Sequence, residues 1–126
     1  MPGDGPEISL DELARRRGRY PLEAYQFVCE GLRYTLEKYC GNCEAREHVT
    51  GQTLCWGLRD YALDRWGLFA RDVLRRWRIS ATRDFGEIVY DMVNSGLMSK
   101  TETDRIEDFN GVYDFKSAFD VHLRIG

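Results

Sequence analysis

The chain has 126 residues, about the size of one average domain, and 43% of them are hydrophobic, which is enough for a buried core. A charged fraction of 31%, a mean hydropathy of −0.50 and the lack of any apolar run of about 18 residues exclude a membrane-spanning protein. An aromatic fraction of 13% excludes a disordered chain, and a formal net charge of −3 argues against a protein that coats nucleic acid.

The first eight residues have the composition of a disordered lead-in. They hold two of the three prolines and two glycines, and they lack the basic and apolar regions of a signal peptide. We therefore expect a lead-in over residues 1–8, a single globular domain over residues 9–126 and a cytoplasmic location. In that reducing compartment the four cysteines are expected to be free thiols.

Two helices are predicted in the first third of the chain. The order Ser9-Leu10-Asp11-Glu12 is that of a capping box, and it predicts a short helix that ends near Arg17-Gly18. A longer helix is predicted over residues 21–39, because apolar residues recur there at helical spacing at Leu22, Tyr25, Val28, Cys29, Leu32, Leu36 and Tyr39.

Two further helices are predicted on either side of Gly67, which marks a tight junction. Thr50 can cap the first of them, and its inner face carries Leu54, Leu58, Tyr61, Ala62 and Trp66. The second covers residues 67–77, with an inner face of Phe69, Ala70, Val73, Leu74 and Trp77.

A fifth helix is predicted between Thr82 and Gly96. Thr82 is a good N-cap residue, Asp84 suits the positive end of the first turn, and Gly96 fits the position that ends a helix. A glycine inside a helix costs about 1 kcal/mol relative to alanine. At Gly86 we therefore expect a neighbouring segment that passes too close for a methyl group. The apolar face consists of Phe85, Ile88, Val89, Met92 and Val93.

The C-terminal segment changes to an alternating pattern. Asn110-Gly111 is a turn dipeptide, and one face of the last segment carries Phe119, Val121, Leu123 and Ile125, which is the spacing of a half-buried strand. The predicted fold class is mainly α within α+β: a compact bundle of about five helices with a small C-terminal β element, winged-helix-like over residues 67–125. An all-α fold is the alternative.

Several of these segments occur together in a known pattern. They include Tyr20 with Ala24-Tyr25, Arg59-Asp60-Tyr61-Ala62, Trp66-Gly67, Asp84-Phe85-Gly86-Glu87-Ile88-Val89-Tyr90 and Tyr113-Asp114-Phe115. Over residues 8–120 the chain resembles an uncharacterised bacterial family restricted to Verrucomicrobia and Planctomycetes. That family commonly has glycine where this chain has Arg78, and its pattern lacks the segment from Cys40 to Cys43. The resemblance implies a compartment and a host group, and no particular chemistry.

The candidate metal ligands are Cys40, Cys43, His48 and Cys55. Cys40 and Cys43 form a C-x₂-C pair, and thiolates and imidazoles at such spacing can hold zinc tetrahedrally. Structural zinc usually has two tight pairs, whereas this chain has one. Free thiols beside a solvated loop are therefore the simpler interpretation, and no cofactor is expected.

An arginine-rich region is the candidate partner surface. Residues 57–83 hold seven arginines and three aspartates, a local net charge of +4. A protein or a nucleic acid could dock there, or the nearby acidic loop that contains Glu102, Asp104, Glu107 and Asp108 could neutralise it. The residues concerned are Arg71, Arg75, Arg76, Arg78 and Arg83.

Nucleic-acid binding is the less favoured of these interpretations. Helices over 67–77 and 82–95 resemble a helix-turn-helix. The face of the second one that is expected to be exposed, however, carries Glu87, Asp91 and Asn94, and residues 84–120 have a net charge of −6, which repels phosphates.

Catalysis has no support in the sequence. It contains no nucleophile elbow, no phosphate-binding glycine loop and no EF-hand pattern. We expect a non-catalytic cytoplasmic protein-interaction or adaptor domain that has a protein partner and does not enter a membrane. A nucleic-acid-associated, winged-helix-like protein is the alternative.

Overall fold

A computed structural model describes residues 8–40, 49–99 and 105–120, with only the backbone of Cys40. Every regular element in these ranges is helical, which confirms a mainly α chain and fits the all-α alternative. The helices are α1 Leu10–Arg17, α2 Leu22–Cys40, α3 Gly51–Trp66, α4 Ala70–Arg76, α5 Thr82–Asn94 and α6 Phe115–Ala118, with 3-10 turns at Gly67–Phe69 and Ile106–Phe109.

The ends of the first helices follow the sequence signals. The Ser9 hydroxyl caps α1 by accepting a hydrogen bond from the Glu12 amide at 3.2 Å. The Thr50 hydroxyl caps α3 by accepting one from the Thr53 amide at 3.1 Å. Gly18 ends α1 with a left-handed backbone (φ 67°), a conformation that glycine adopts without steric cost. The predicted caps at Ser9 and Thr50 and the predicted end of α1 are confirmed.

The predicted C-terminal β element is not supported. The predicted winged-helix similarity over residues 67–125 depended on that element and is therefore not supported either. Where the strand was expected to begin, α6 is followed by a turn at Phe119. Asp114 starts α6 by accepting a hydrogen bond from the Ser117 amide at 3.1 Å. One helical turn then brings the Phe119 ring against the Phe115 ring in a tilted contact, with ring centroids 5.0 Å apart. Residues 121–125 of the expected strand lie outside the described residues.

Helices α2 and α3 approach each other closely because a glycine on each faces a side chain of the other. Gly31 lies against Leu58 and Gly57 lies against Thr35, so that a Cβ at either glycine would overlap the opposing side chain. Thr35 is fully buried, and its hydroxyl donates to the Gly31 carbonyl at 2.6 Å. The buried hydroxyl is therefore satisfied inside the core. Helices α1, α4 and α5 contact this pair.

The start of α5 differs from the prediction that Thr82 is its N-cap. The N-cap is Ala81, and the Asp84 carboxylate accepts hydrogen bonds from the amides of Ser80 at 2.9 Å and Ala81 at 3.1 Å. The buried Thr82 hydroxyl instead donates to the Phe109 carbonyl at 2.6 Å. Thr82 thus ties the 3-10 turn Ile106–Phe109 to α5, and the longer Asp84 side chain performs the capping.

Gly86 confirms the expected close crossing. A Cβ built on Gly86 would lie 2.8 Å from both Cβ and Cγ of Phe109. Phe109 is buried, and its backbone is fixed by the hydrogen bond from the Thr82 hydroxyl to the Phe109 carbonyl. Phe109 therefore has little room to move away from a methyl group at position 86.

We expect Gly86→Ala to lower the free energy of unfolding by about 1–3 kcal/mol, the usual cost of overpacking a core. Helix propensity alone predicts the opposite sign, a gain of about 1 kcal/mol. The midpoint of urea denaturation at constant slope measures the change. A higher midpoint for Gly86→Ala would show that α5 and Phe109 can separate without loss.

Candidate functional site

The structure divides the five candidate arginines into two groups. Arg83 is tied into the fold, since it contacts Glu87 at 3.1 Å and donates to the Asn110 side chain at 3.0 Å. Arg78 follows α4 and donates to the Arg19 carbonyl at 3.1 Å. The three arginines that remain for a partner lie on α4, and they are Arg71, Arg75 and Arg76.

Little negative charge faces the α4 arginines within the part of the chain that the structure describes. Arg75 lies 3.8 Å from Asp72, and both side chains are more than half exposed. Among the described residues, Arg71 and Arg76 have no carboxylate within ion-pair distance. Of the acidic loop, Glu107 contacts Arg105 at 3.6 Å instead, and Glu102 and Asp104 lie outside the described residues.

Arg78 adopts an unusual backbone at the end of α4. It is the one non-glycine residue with a positive φ (66°) in the described ranges. The amides of Arg78 and Ile79 donate to the carbonyls of Arg75 and Leu74 at 3.0 and 2.9 Å, which is the Schellman pattern that glycine normally completes. The chain therefore carries an arginine at a position where glycine would relieve strain.

Arg78→Gly is expected to raise the free energy of unfolding by about 0.5 kcal/mol, because it removes the left-handed penalty and loses only an exposed hydrogen bond. Arg76→Gly, two residues earlier inside α4, is the matched control and is expected to cost about 1 kcal/mol. Thermal melts of both variants measure the difference. A lower melting temperature for Arg78→Gly would mean that its bond to Arg19 outweighs the strain.

Two large apolar side chains project into solvent beside α4. Leu68 is 51% exposed and Phe69 is 68% exposed. The prediction that Phe69 belongs to the inner face is wrong, because residues 67–69 form a 3-10 turn and do not continue the rotation of α4. The buried members of that face are Ala70 and Leu74.

The other exposed large hydrophobic residues of the described ranges already have partners in the fold. The Tyr39 hydroxyl donates to Asp60 at 2.8 Å, and the Trp56 ring lies 4.7 Å from the Tyr113 ring. Phe69 makes no ring contact with another aromatic side chain of the described residues. Leu68 and Phe69 therefore stand apart as apolar surface.

An open groove of about 860 Å³ lies beside these side chains. Trp77 forms part of its wall, and the ring also packs on Phe27 at 5.9 Å and on Trp66 at 5.6 Å, so this wall is anchored in the core. We call this the α4 groove; its lining residues are Phe69, Asp72, Val73, Arg75, Arg76 and Trp77. Its shape and mixed lining suit a side chain of another molecule.

A second polar cluster joins the first helices to α5. The Tyr20 hydroxyl donates to Asp84 at 2.6 Å, and the Tyr25 hydroxyl donates to Asp91 at 2.7 Å. Arg17 contacts Asp91 at 3.1 Å. Each carboxylate is thus saturated by groups of the fold, and the cluster is structural.

Burial, strengthened by the hydrogen bonds to Asp84 and Asp91, raises the pKa of Tyr20 and of Tyr25 well above the ordinary tyrosine value. The unfolded chain ionises these tyrosines near pH 10 while the folded chain keeps them protonated. Because the pKa is higher in the folded chain, the protonated hydroxyls of Tyr20 and Tyr25 stabilise the fold below pH 10. That contribution is lost as the pH rises above 10.

We expect the free energy of unfolding to fall by about 1.4 kcal/mol per pH unit above pH 10 for each such tyrosine. Tyr20→Phe should make this slope shallower, although it lowers stability at neutral pH. Urea denaturation between pH 8 and about pH 11 tests the prediction. An unchanged slope in Tyr20→Phe would show that its hydroxyl ionises freely in the folded protein.

The predicted zinc site falls mostly outside the described residues. Cys43 and His48 are not described, and the side chain of Cys40 is not described either. Cys55 is fully buried in the core, where burial raises the pKa of its thiol. Within the described ranges no three Cys, His, Asp or Glu side chains are grouped so that they could hold a metal ion. Zinc binding therefore remains a prediction from spacing.

Comparison with known proteins supplies no relative for this chain. No family model, curated protein or solved structure matches it. None of the helices in the described part of the chain combines the length and the apolar character needed to cross a membrane.

Proposed function

We propose that this chain is a non-catalytic protein-interaction domain that docks its partner on the α4 groove, which includes Phe69, and on the adjoining Leu68. The observation that carries the proposal is that Phe69 is 68% exposed to solvent at the edge of an open groove. A cytoplasmic location and membership of the bacterial family are part of the proposal and rest on the sequence.

The rigidity of the surface supports docking. The groove has Trp77 as a wall, and that ring is held between Phe27 and Trp66. Leu68 and Phe69 lie on a short turn between α3 and α4, both of which are anchored by buried residues. A preformed surface loses little conformational entropy when a partner binds.

Exposed aromatic and arginine side chains are also the types that dominate protein interfaces. Aromatic residues and arginine are enriched at interface centres, where a few of them supply most of the binding energy. Phe69, Arg75 and Arg76 meet at one groove. The combination favours a protein partner over a small polar molecule.

A peptide-display selection against the folded protein tests this proposal. We expect selected peptides to bind in the micromolar range and to lose on the order of tenfold in affinity on Phe69→Ala. Trp56→Ala is the matched control, since Trp56 is another exposed aromatic residue, and it should leave the affinity unchanged. Peptides that tolerate Phe69→Ala would contradict docking at this surface.

A further inference from the structure

We infer that the partner segment is acidic and amphipathic, with apolar side chains flanked by carboxylates. The inference rests on the proposed function and adds the chemistry of the bound segment. Apolar side chains would cover Leu68, Phe69 and Val73, and carboxylates would meet the arginines of α4.

The charge pattern of the surface carries the inference. Arg76 lines the groove, and Arg71 lies five residues before it on α4, outside the lining. Neither has an ion-pair partner among the described residues, and Arg75 has only the 3.8 Å approach to Asp72. The arginines elsewhere in the described ranges are mostly paired, as Arg17 is with Asp91 and Arg65 with Glu30. As far as the described residues go, the groove thus presents positive charge that no carboxylate fully neutralises, which would attract an acidic segment and fix its register.

A second copy of the chain does not suit this surface. A two-fold interface places the same patch on both sides, so the three arginines of α4 would meet three more, with only one Asp72 from each copy to offset them. Like charges brought together at an interface cost several kcal/mol. The apolar side chains could meet, but the charges around them would repel.

Single-stranded nucleic acid fits less well than an acidic peptide. Such ligands use several aromatic platforms for successive bases along a basic groove. Here Phe69 is the ring that projects into solvent, and its neighbours Leu68 and Val73 are aliphatic. The other ring of the groove, Trp77, is packed into the core. The aliphatic neighbours suit the apolar side chains of a peptide.

The experiment compares the charge of the selected peptides with that of the starting library and then reverses one charge on the protein. We expect enrichment of Asp and Glu beside apolar residues. Affinity at about 150 mM salt should fall on the order of tenfold in Arg76→Glu. Arg33→Glu is the matched control: Arg33 is an exposed helical arginine on α2, also without a carboxylate partner in the described ranges, and it lies outside the α4 groove. It should leave the affinity unchanged.

Each failure has a distinct signature. Peptides that need Phe69 but show no acidic enrichment and tolerate Arg76→Glu would overturn this inference and leave the docking surface in place. Peptides indifferent to Phe69→Ala would overturn the docking surface itself. An oligothymidylate of about 20 nucleotides is titrated in parallel. If it bound more tightly than every peptide and lost binding in Arg76→Glu, a nucleic acid would replace the acidic segment.

Discussion

Phe27→Ala is expected to lower the free energy of unfolding by about 3–5 kcal/mol, the usual cost of removing a buried aromatic ring. Phe27 is 2% exposed. Its ring centroid lies 5.5–6.4 Å from those of four other rings. Two of these rings are on α3, one is on α5, and the fourth is Trp77, which follows α4. Truncation would leave a cavity where these elements meet.

The measurement is urea denaturation followed by tryptophan fluorescence, since Trp66 and Trp77 surround the substituted ring. Phe69→Ala is the matched control, because the same change at an exposed phenylalanine should cost less than about 0.5 kcal/mol. A loss below about 1 kcal/mol in Phe27→Ala, or an equal loss at the two positions, would contradict the assignment of core and surface.

Asp84→Ala is expected to lower the free energy of unfolding by about 3 kcal/mol, since it removes one side chain that accepts hydrogen bonds from several groups. The carboxylate accepts hydrogen bonds from the Tyr20 hydroxyl and from the amides of Ser80 and Ala81. Without it, the buried hydroxyl of Tyr20 loses its acceptor and α5 loses its cap.

Asp72→Ala provides the comparison for Asp84, because Asp72 is an exposed aspartate in the first turn of α4. Its loss should change stability by less than about 0.5 kcal/mol. Thermal and urea denaturation at neutral pH compare the two variants. If Asp84→Ala were as mild as Asp72→Ala, the bonds from Tyr20 and the two amides would contribute little to folding.

Local signals in the sequence were sufficient for most helix ends. Ser9 and Thr50 cap helices through short-range hydrogen bonds, which depend on residues three positions away. The close crossing at Gly86 was also predictable, because a glycine inside a strongly amphipathic helix requires a reason. Its partner, Phe109, was not predictable, since the contact joins segments distant in the chain.

The predictions that were wrong fail where tertiary contacts override local preference. Thr82 has the side chain of an N-cap, yet its hydroxyl is used by Phe109 and Val112 across a long separation in sequence. Phe69 fits a helical stripe by spacing, but the 3-10 turn rotates it into solvent. The sequence indicated the arginines of the proposed docking surface, but spacing alone could not indicate that Phe69 is exposed beside them.

The most direct test of the docking surface is a map of backbone amide chemical shifts while a selected peptide is titrated into the labelled protein. We expect the largest changes in residues 67–77, around Phe69 and the rest of the α4 groove. The smaller groove lined by Cys29, Arg33 and Tyr34 on α2 should remain unaffected. Largest changes at that second groove, with residues 67–77 unmoved, would contradict the central claim.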